Sequence, residues 1–566
     1  MTRCFRLLAL GCAVALLASG CRQESGVAGR PPKAGAKSGG NLIVGITEPG
    51  SIEPSSANVF ESAGNLVIRT ICDPLIQFDP VDGRARAAIA ESWIISDEGL
   101  RITVKIRKDV FFHSGEEVNA EDVVFALSRI ARKDYGSPVA AQLESVVGYE
   151  LVHGDASLEE QEGVDERFLL SLQGLRVLDN YSFEIRLKEK RADFLRILGH
   201  PLSSPIPKQV VEKDPKNFAK KPECTGPYRL SEPWTPGMPA IKLERFDRYY
   251  SRNDGFSRGG KGYPDTIEFR IFPNEDAAFS EYIAGNLDVA PVPRPRIEEA
   301  RGQNLVSGVT GNLDYIGLPT SLAPFNNRNV RVAFSQALDR QSIVQSVFAG
   351  LGTSAAGFLP PALGSYYRKD ACGKNAPVAG DIDAAKATLA KTKVVLPGTV
   401  FKFYYNDEFD NRKIVEAVAA QWSAAFGIKF ELQAMEWEEY LAKGVQPPGF
   451  DGPFRLGWGP QYPSADRYLA PLFHSGSIGQ NNLTFFANEE FDRSLEKRAR
   501  RAETEEDLEV EYQSLEDIAC THMPIVPVSF AGKAHVVDKE KLDSAANDVF
   551  SDLTTGEVLV RELFVR

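Results

Sequence analysis

Three features of the sequence predict an α/β protein of two or three domains. Leu100, Ile102, Val104 and Ile106 alternate with Arg101, Thr103, Lys105 and Arg107, the period of a strand with one buried face. After a turn at Ser114-Gly115, Asn119 offers a side-chain oxygen to the free amides of a helix start, with Asp122 as reciprocal partner. Val123, Leu127 and Ile130 continue at helical spacing. The third feature is length, since 566 residues far exceed what one hydrophobic core holds together.

From the N-terminus, Arg3 and Arg6 precede an apolar run from Leu7 to Leu17, shorter than the ~20 residues of a membrane span. Ala18-Ser19-Gly20-Cys21 then resembles a bacterial lipobox. It implies that residues 1–20 are a lipoprotein signal peptide and that the Cys21 thiol is diacylated. An ordinary signal peptide cut nearby, or a retained signal anchor, is the alternative. Residues 21–40 are rich in Gly, Pro, Ser, Lys and Ala, which bury too little apolar surface to order a backbone, and read as a flexible linker. No later stretch is long and apolar enough to span a bilayer. The net charge of −12 excludes the basic stripe of a nucleic-acid binder. Gly352 to Gly357 lacks the lysine of a phosphate loop.

The elements follow in order. Asn41 to Ile46 is a short strand closed by Glu48-Pro49-Gly50. His153 to Glu166 is acidic and aperiodic and reads as an exposed loop. Tyr181 to Leu187 is a second alternating strand. Val330, Phe334, Ala337 and Leu338 form one apolar helical stripe, with Arg331, Asp339 and Arg340 read as a solvated face and charged terminus. Trp422 and Trp437 lie in regular patterns and read as core.

Several blocks carry a resemblance. Glu91-Ser92-Trp93, Ile106-Arg107-Lys108, Phe112-His113-x-Gly115 and Ala120-Glu121-Asp122-Val123 occur in order within some forty residues. Cys224-Thr225-Gly226-Pro227-Tyr228 and the stretch Val330 to Arg340 follow. Together they are similar to the peptide/nickel-type extracellular solute-binding proteins of ABC importers, the oligopeptide- and dipeptide-binding class. The resemblance implies a two-lobed periplasmic-binding-protein fold (type II, cluster C) with an extra α/β subdomain in the first lobe. It divides the chain into a first lobe (41–75 and 203–307, with the subdomain at 76–202), a second lobe (308–522) and a return to the first (523–566). The chain is expected to cross between lobes near Val306 to Leu318. Four cysteines follow Cys21, and an exported protein with an even count is expected to form two disulfides. Three pairings are open. Lobe membership favours Cys72 with Cys224 and Cys372 with Cys520.

The resemblance also places a ligand site between the lobes, around Arg455-Leu456-Gly457-Trp458. Oligopeptide-binding relatives carry an aspartate three residues beyond the tryptophan, where it meets the peptide ammonium; here that residue is Gln461. Arg455, Trp458, Gln461 and Tyr462 are the expected ligand contacts, in a largely apolar, water-excluding pocket. Arg455 would grip a carboxylate through parallel hydrogen bonds. Asp466, or Glu48 and Glu53 in the loop after the first strand, would supply the missing acid. His113, His474 and His522 are scattered, so no metal site or cofactor is expected. No nucleophile elbow or triad is legible, so no catalysis is expected. The implied partners are membrane permease subunits with their ATPase, a small peptide or peptide-like solute, and a membrane reached through the lipid anchor. The implied state is a monomer in the periplasm or on the outer face of the cytoplasmic membrane. A receptor or chaperone-like lipoprotein, an oligosaccharide binder and a secreted hydrolase are the rival readings.

Replacement of Cys21 by Ala is expected to release the protein from membranes in a high-salt wash, and intact-mass analysis of the native protein should show the acyl increment.

Overall fold

Two strands of 13 residues each, Leu305–Gly317 and Ile525–Val537, run antiparallel and tie the two lobes together. Their ladder extends from Leu305 opposite Val536 to Gly317 opposite Ile525. On one side Phe454–Trp458, Val400–Asn406 and Lys429–Met435 extend the sheet into the second lobe. On the other side Val289–Pro291, Asn41–Thr47, Thr266–Phe272, Ala240–Arg245 and Tyr228–Leu230 extend it into the first. With the short strand Thr353–Ser354, which pairs with Ile525–Val537 off this path, one 11-stranded sheet runs through both lobes. This computed structural model describes residues 39–56, 62–78, 85–154, 170–191, 193–250, 264–408, 410–459, 462–502, 504–542, 555–563 and 565. The expected signal peptide, Cys21, nearly all of the expected linker, Gln461 and residues 155–166 of the expected loop lie outside the described residues.

A separate antiparallel sheet in the first lobe has the order Ala90–Ser96, Arg101–Ile106, Ser182–Arg186, Leu175–Asp179. Ile102, Val104 and Ile106 point into one core with Val123, Leu127 and Ile130 of the helix Ala120–Ala131. The helix begins where its chemistry requires. Asn119 Oδ1 accepts from the amides of Glu121 (2.8 Å) and Asp122 (3.3 Å), while Asp122 Oδ2 accepts from the Asn119 amide (3.1 Å). Leu100 precedes the strand and is 38% exposed.

Four expectations are corrected. The stretch from Val330 to Arg340 is not one helix but two, Arg328–Gln336 and Arg340–Ser346, because Asp339 caps the second through the Ser342 amide (2.9 Å). Its arginines are not solvated. Arg340 is fully buried and donates to the carbonyls of Pro527 (2.7 Å), Ser335 (3.0 Å), Leu338 (3.1 Å) and Pro377 (2.9 Å). Arg331 holds the carbonyls of Phe325 (2.7 Å) and His522 (2.7 Å). Five forked donors let one arginine serve several buried carbonyls at once, which offsets part of the cost of burying its charge. Trp437 is 40% exposed on its helix, unlike fully buried Trp422, whose Nε1 donates to the Phe334 carbonyl (2.8 Å). His153 ends a helix, Tyr149–His153, with Nδ1 2.9 Å from the Ala131 carbonyl oxygen.

Disulfides join Cys72 to Cys224 and Cys372 to Cys520, with sequence separations of 152 and 148. Loops of that length correspond to a stabilisation of at most about 5 kcal/mol each in the chain-entropy picture. Beside the first disulfide, the Cys224 amide donates to His113 Nδ1 (3.3 Å), so Nε2 carries the proton facing the Gly226 carbonyl (3.2 Å). Burial pushes His113 down to about 3. Burial does the same to His200, whose Nδ1 accepts the Leu202 amide (3.0 Å).

Both rings therefore stay neutral in the folded protein when the unfolded chain begins to protonate. Their contribution is complete above pH 6.5 and is lost as pH falls toward 3, at up to about 1.4 kcal/mol per pH unit for each ring. His200→Asn keeps the acceptor but not the titration. Denaturant unfolding of this variant should show a stability slope between pH 6 and pH 5 that is shallower by about 1 kcal/mol per unit.

Candidate ligand site

Where the crossing strands meet the second lobe, a cavity of about 710 Å³ is lined by Arg294, Asn312, Asp314, Asp410, Arg455 and Trp458, among others. Each side chain is placed by an element end or a strand register. Arg294 follows the strand Val289–Pro291, and Asp410 immediately precedes the helix Asn411–Phe426. The strand Phe454–Trp458 pairs antiparallel with Leu313–Gly317, which sets Gly457 opposite Asp314 and Trp458 opposite Leu313.

Two ion pairs stand in the lining beside the apolar side chains of Leu313, Phe348 and Ile414. Arg455 forms an ion pair with Asp314, whose other oxygen accepts from Ser529 Oγ (3.3 Å). Arg294 pairs with Asp410, which also meets Lys413 (3.0 Å). Burial by itself would raise the Asp410 carboxyl, but Lys413 and Arg294 hold it below the ordinary carboxylate range. Trp458 is fixed by its Nε1, which donates to the Arg467 carbonyl (2.6 Å), and its ring is left on the cavity wall. With two acids and two arginines, the lining is close to neutral and suits a solute that carries both charges. Among the described residues, no group of three His, Cys, Asp or Glu is placed to hold a metal ion.

Of the expected contacts, Arg455 and Trp458 line the cavity, and Gln461 lies outside the described residues. The others are elsewhere, each for a stated reason. Asp466 is buried and turned into the second lobe, where it accepts from Arg500 (3.0 Å) and Tyr512 (3.0 Å). Glu53 is buried against Arg129. Glu48 is exposed and accepts the Gly237 amide. None of the three is an acid of this cavity. Asp314 is, and the sequence held one sign of it: a lone acid within the apolar run Leu313 to Leu318. Arg294 and Asp410 gave no such sign.

Tyr462 is also displaced from its expected role. It is 1% exposed and belongs to the apolar core of the first-lobe subdomain. Its hydroxyl accepts from Arg191 Nη2 (2.8 Å) and Arg467 Nε (2.8 Å) and faces Asp193 (3.3 Å). Asp193 further accepts from Ser464 Oγ (2.8 Å) and pairs with Arg191 (3.2 Å). Burial opposes the Asp193 charge, yet Arg191 and Arg467 outweigh it and hold the carboxyl well below its usual range. This is a buried ionic joint between residues 191–193 and the loop after Trp458. The contribution of Asp193 is complete above about pH 4 and is lost as pH falls below the usual carboxylate range. Asp193→Ala should cost about 3–5 kcal/mol, because two buried cations lose their anion. Tyr462→Phe should cost about 1 kcal/mol. Denaturant unfolding measures both.

Known proteins share this architecture. Residues 84–480 match bacterial extracellular solute-binding proteins, family 5, middle region. The chain is 26% identical to heme-binding protein A of Haemophilus influenzae over 91% of this chain and 92% of that protein. It is 28% identical to di/tripeptide-binding protein 3 of Pseudomonas aeruginosa, over 81% of this chain and 84% of that protein. The unliganded open form of the periplasmic murein tripeptide binding protein MppA superposes with a TM-score of 0.79 at 21% identity, covering 94% of this chain and 99% of that one. The match spans most of the described fold, both the separate first-lobe sheet and the cavity-lining strand of the second lobe: the chain belongs to the bacterial extracellular solute-binding proteins of family 5.

Proposed function

We propose that the protein captures a short peptide in the cavity between its lobes and delivers it to the membrane permease of an ABC importer, whose ATPase lies on the cytoplasmic side. The observation that carries this reading is the cavity itself. About 710 Å³, bounded by two opposite-charge pairs and the Trp458 indole, accommodates a few residues of a chain that bears both charges. Family membership and the relatives named for di- and tripeptides support the same solute class. Arg294 belongs to the first-lobe side of the sheet and Asp410 to the second-lobe side, so a solute held between them touches both lobes. A solute that makes contacts in both lobes favours the closed arrangement by that differential affinity. The protein binds and releases; it turns nothing over. Among the described residues no helix is long and apolar enough to cross a membrane. The acylated Cys21 and its linker hold the binder at the outer face of the cytoplasmic membrane or in the periplasm.

Titration of the native protein with a panel of di- to pentapeptides should release or absorb heat, shift tryptophan emission and leave the peptides intact. In Trp458→Phe most of the emission change should vanish, although four other tryptophans remain. Absence of binding across the panel, or hydrolysis of any peptide, would overturn the reading.

A further inference from the structure

The lobes also meet away from the cavity. The helix Phe194–Ile197 packs in the apolar core of the first-lobe subdomain, while Tyr366 and the helix Glu505–His522 pack in the second-lobe core with Phe403 and Phe454. Residues 190–196 bridge the two. Lys190 Nζ donates to the Arg501 carbonyl (2.6 Å). Arg191 donates to the Tyr462 hydroxyl (2.8 Å), and Asp193 accepts from Ser464 Oγ (2.8 Å). Arg196 is largely buried and donates to the Pro463 carbonyl (3.3 Å) and to Glu505 Oε1 (2.6 Å). The Tyr366 hydroxyl donates to the same Glu505 oxygen (3.0 Å). The Arg196 guanidinium also lies over the Phe78 ring of the first lobe (5.2 Å) and the Tyr366 ring of the second (5.1 Å). None of these residues lines the cavity of about 710 Å³.

We infer that these contacts form a clasp that holds the lobes in the arrangement with the wide cavity, and that Arg196, Glu505 and Tyr366 thereby set the affinity for the solute from outside the site. The crossing ladder supplies a pivot. The clasp draws on second-lobe segments at 366, 462–464 and 501–505, and contacts from three separate segments do not all lie on one axis. A hydrogen bond is lost once its atoms part to about 3.6 Å. A rotation of the lobes that narrows the cavity around a solute therefore breaks part of the clasp. The solute's own affinity is reduced by the fraction of the protein in which the clasp is open, so weakening the clasp strengthens binding. The affinity effect rests on the peptide-capture reading; the clasp itself does not.

Two variants weaken the clasp without touching the cavity. Glu505→Gln removes the charge of a half-exposed side chain, and Tyr366→Phe removes one donor while keeping the ring. Spin labels on Glu232→Cys and Glu431→Cys, exposed near opposite ends of the 11-stranded sheet, read the lobe arrangement of the full-length protein with no solute added. In both variants the distance distribution should gain a second component. Calorimetry with the member of the di- to pentapeptide panel that binds the native protein most tightly should give binding about three- to tenfold tighter, with the larger gain in Glu505→Gln. A gain in affinity is a readout that damage to the fold does not produce. An unchanged distance distribution in both variants, or equal or weaker binding of that peptide, overturns the inference and leaves peptide capture standing. A second component with no binding by any peptide of the panel leaves the clasp standing and overturns peptide capture. If Glu505→Gln does not fold, Tyr366→Phe decides.

Discussion

The antiparallel ladder between Leu305–Gly317 and Ile525–Val537 is the constraint from which the rest of the molecule takes its form. It satisfies the backbone of the two segments that cross between lobes, so the lobes are joined by hydrogen-bonded strands and not by a loose tether. It also carries the defect that shapes the site. Pairing shifts between Asp314, opposite Ser529, and Tyr315, opposite Pro527, leaving Val528 as the extra residue. Proline has no amide proton to give a ladder, and a bulge there re-aims the side chains around it. Asp314 lies at that shift and lines the cavity. Arg340 meets the same defect by donating to the Pro527 carbonyl, one of the four carbonyls it holds in the second-lobe core.

Two groups of charge near the lobe junction differ in how fully their hydrogen-bonding capacity is used. Around Asp193, Arg191, Tyr462 and Ser464 donate to one carboxylate, and Arg467 donates in turn to the Tyr462 hydroxyl. That assembly links residues 191–193 to the loop after Trp458 and holds the two parts together. Around Asp314 and Arg455 the pairing is incomplete: the acid has unused lone pairs, the arginine an unused donor, and the neighbouring residue no side chain. Asp314 and Arg455 line the cavity, and the Asp193 assembly does not. Tyr462 shows the distinction at close range, four residues beyond Trp458 in sequence yet committed to the core of the other lobe's subdomain.

Much of the fold was legible in the sequence because it is encoded between near neighbours. The alternation from Arg101 to Ile106, the reciprocal cap of Asn119 and Asp122 and the strand opening at Asn41 depend on residues a few positions apart, and periodicity and capping report such contacts directly. The ordered blocks from Glu91 to Val123 and from Val330 to Arg340 carried the family, and with it the expectation that Arg455 and Trp458 would meet a ligand. Local reading failed where two local signals competed. At Asp339 the apolar stripe said one helix, while the capping side chain began another.

What only the tertiary structure decided was which charge meets which. Arg455 finds Asp314 across 141 positions of sequence, and Arg191 finds Tyr462 across 271. No periodicity or propensity links residues so far apart, because their approach is fixed by strand order and by packing of the lobes. The sequence by itself carried the expectation of a two-lobed binder with an arginine and a glycine-flanked tryptophan facing the cleft, and Arg455 and Trp458 do line the cavity. The pairing of Arg455 with Asp314 in the cavity wall, and the placement of Asp466, Glu53 and Tyr462 elsewhere, came from the fold. A side chain's partner is a property of the space around it, and that space exists only once distant strands have paired.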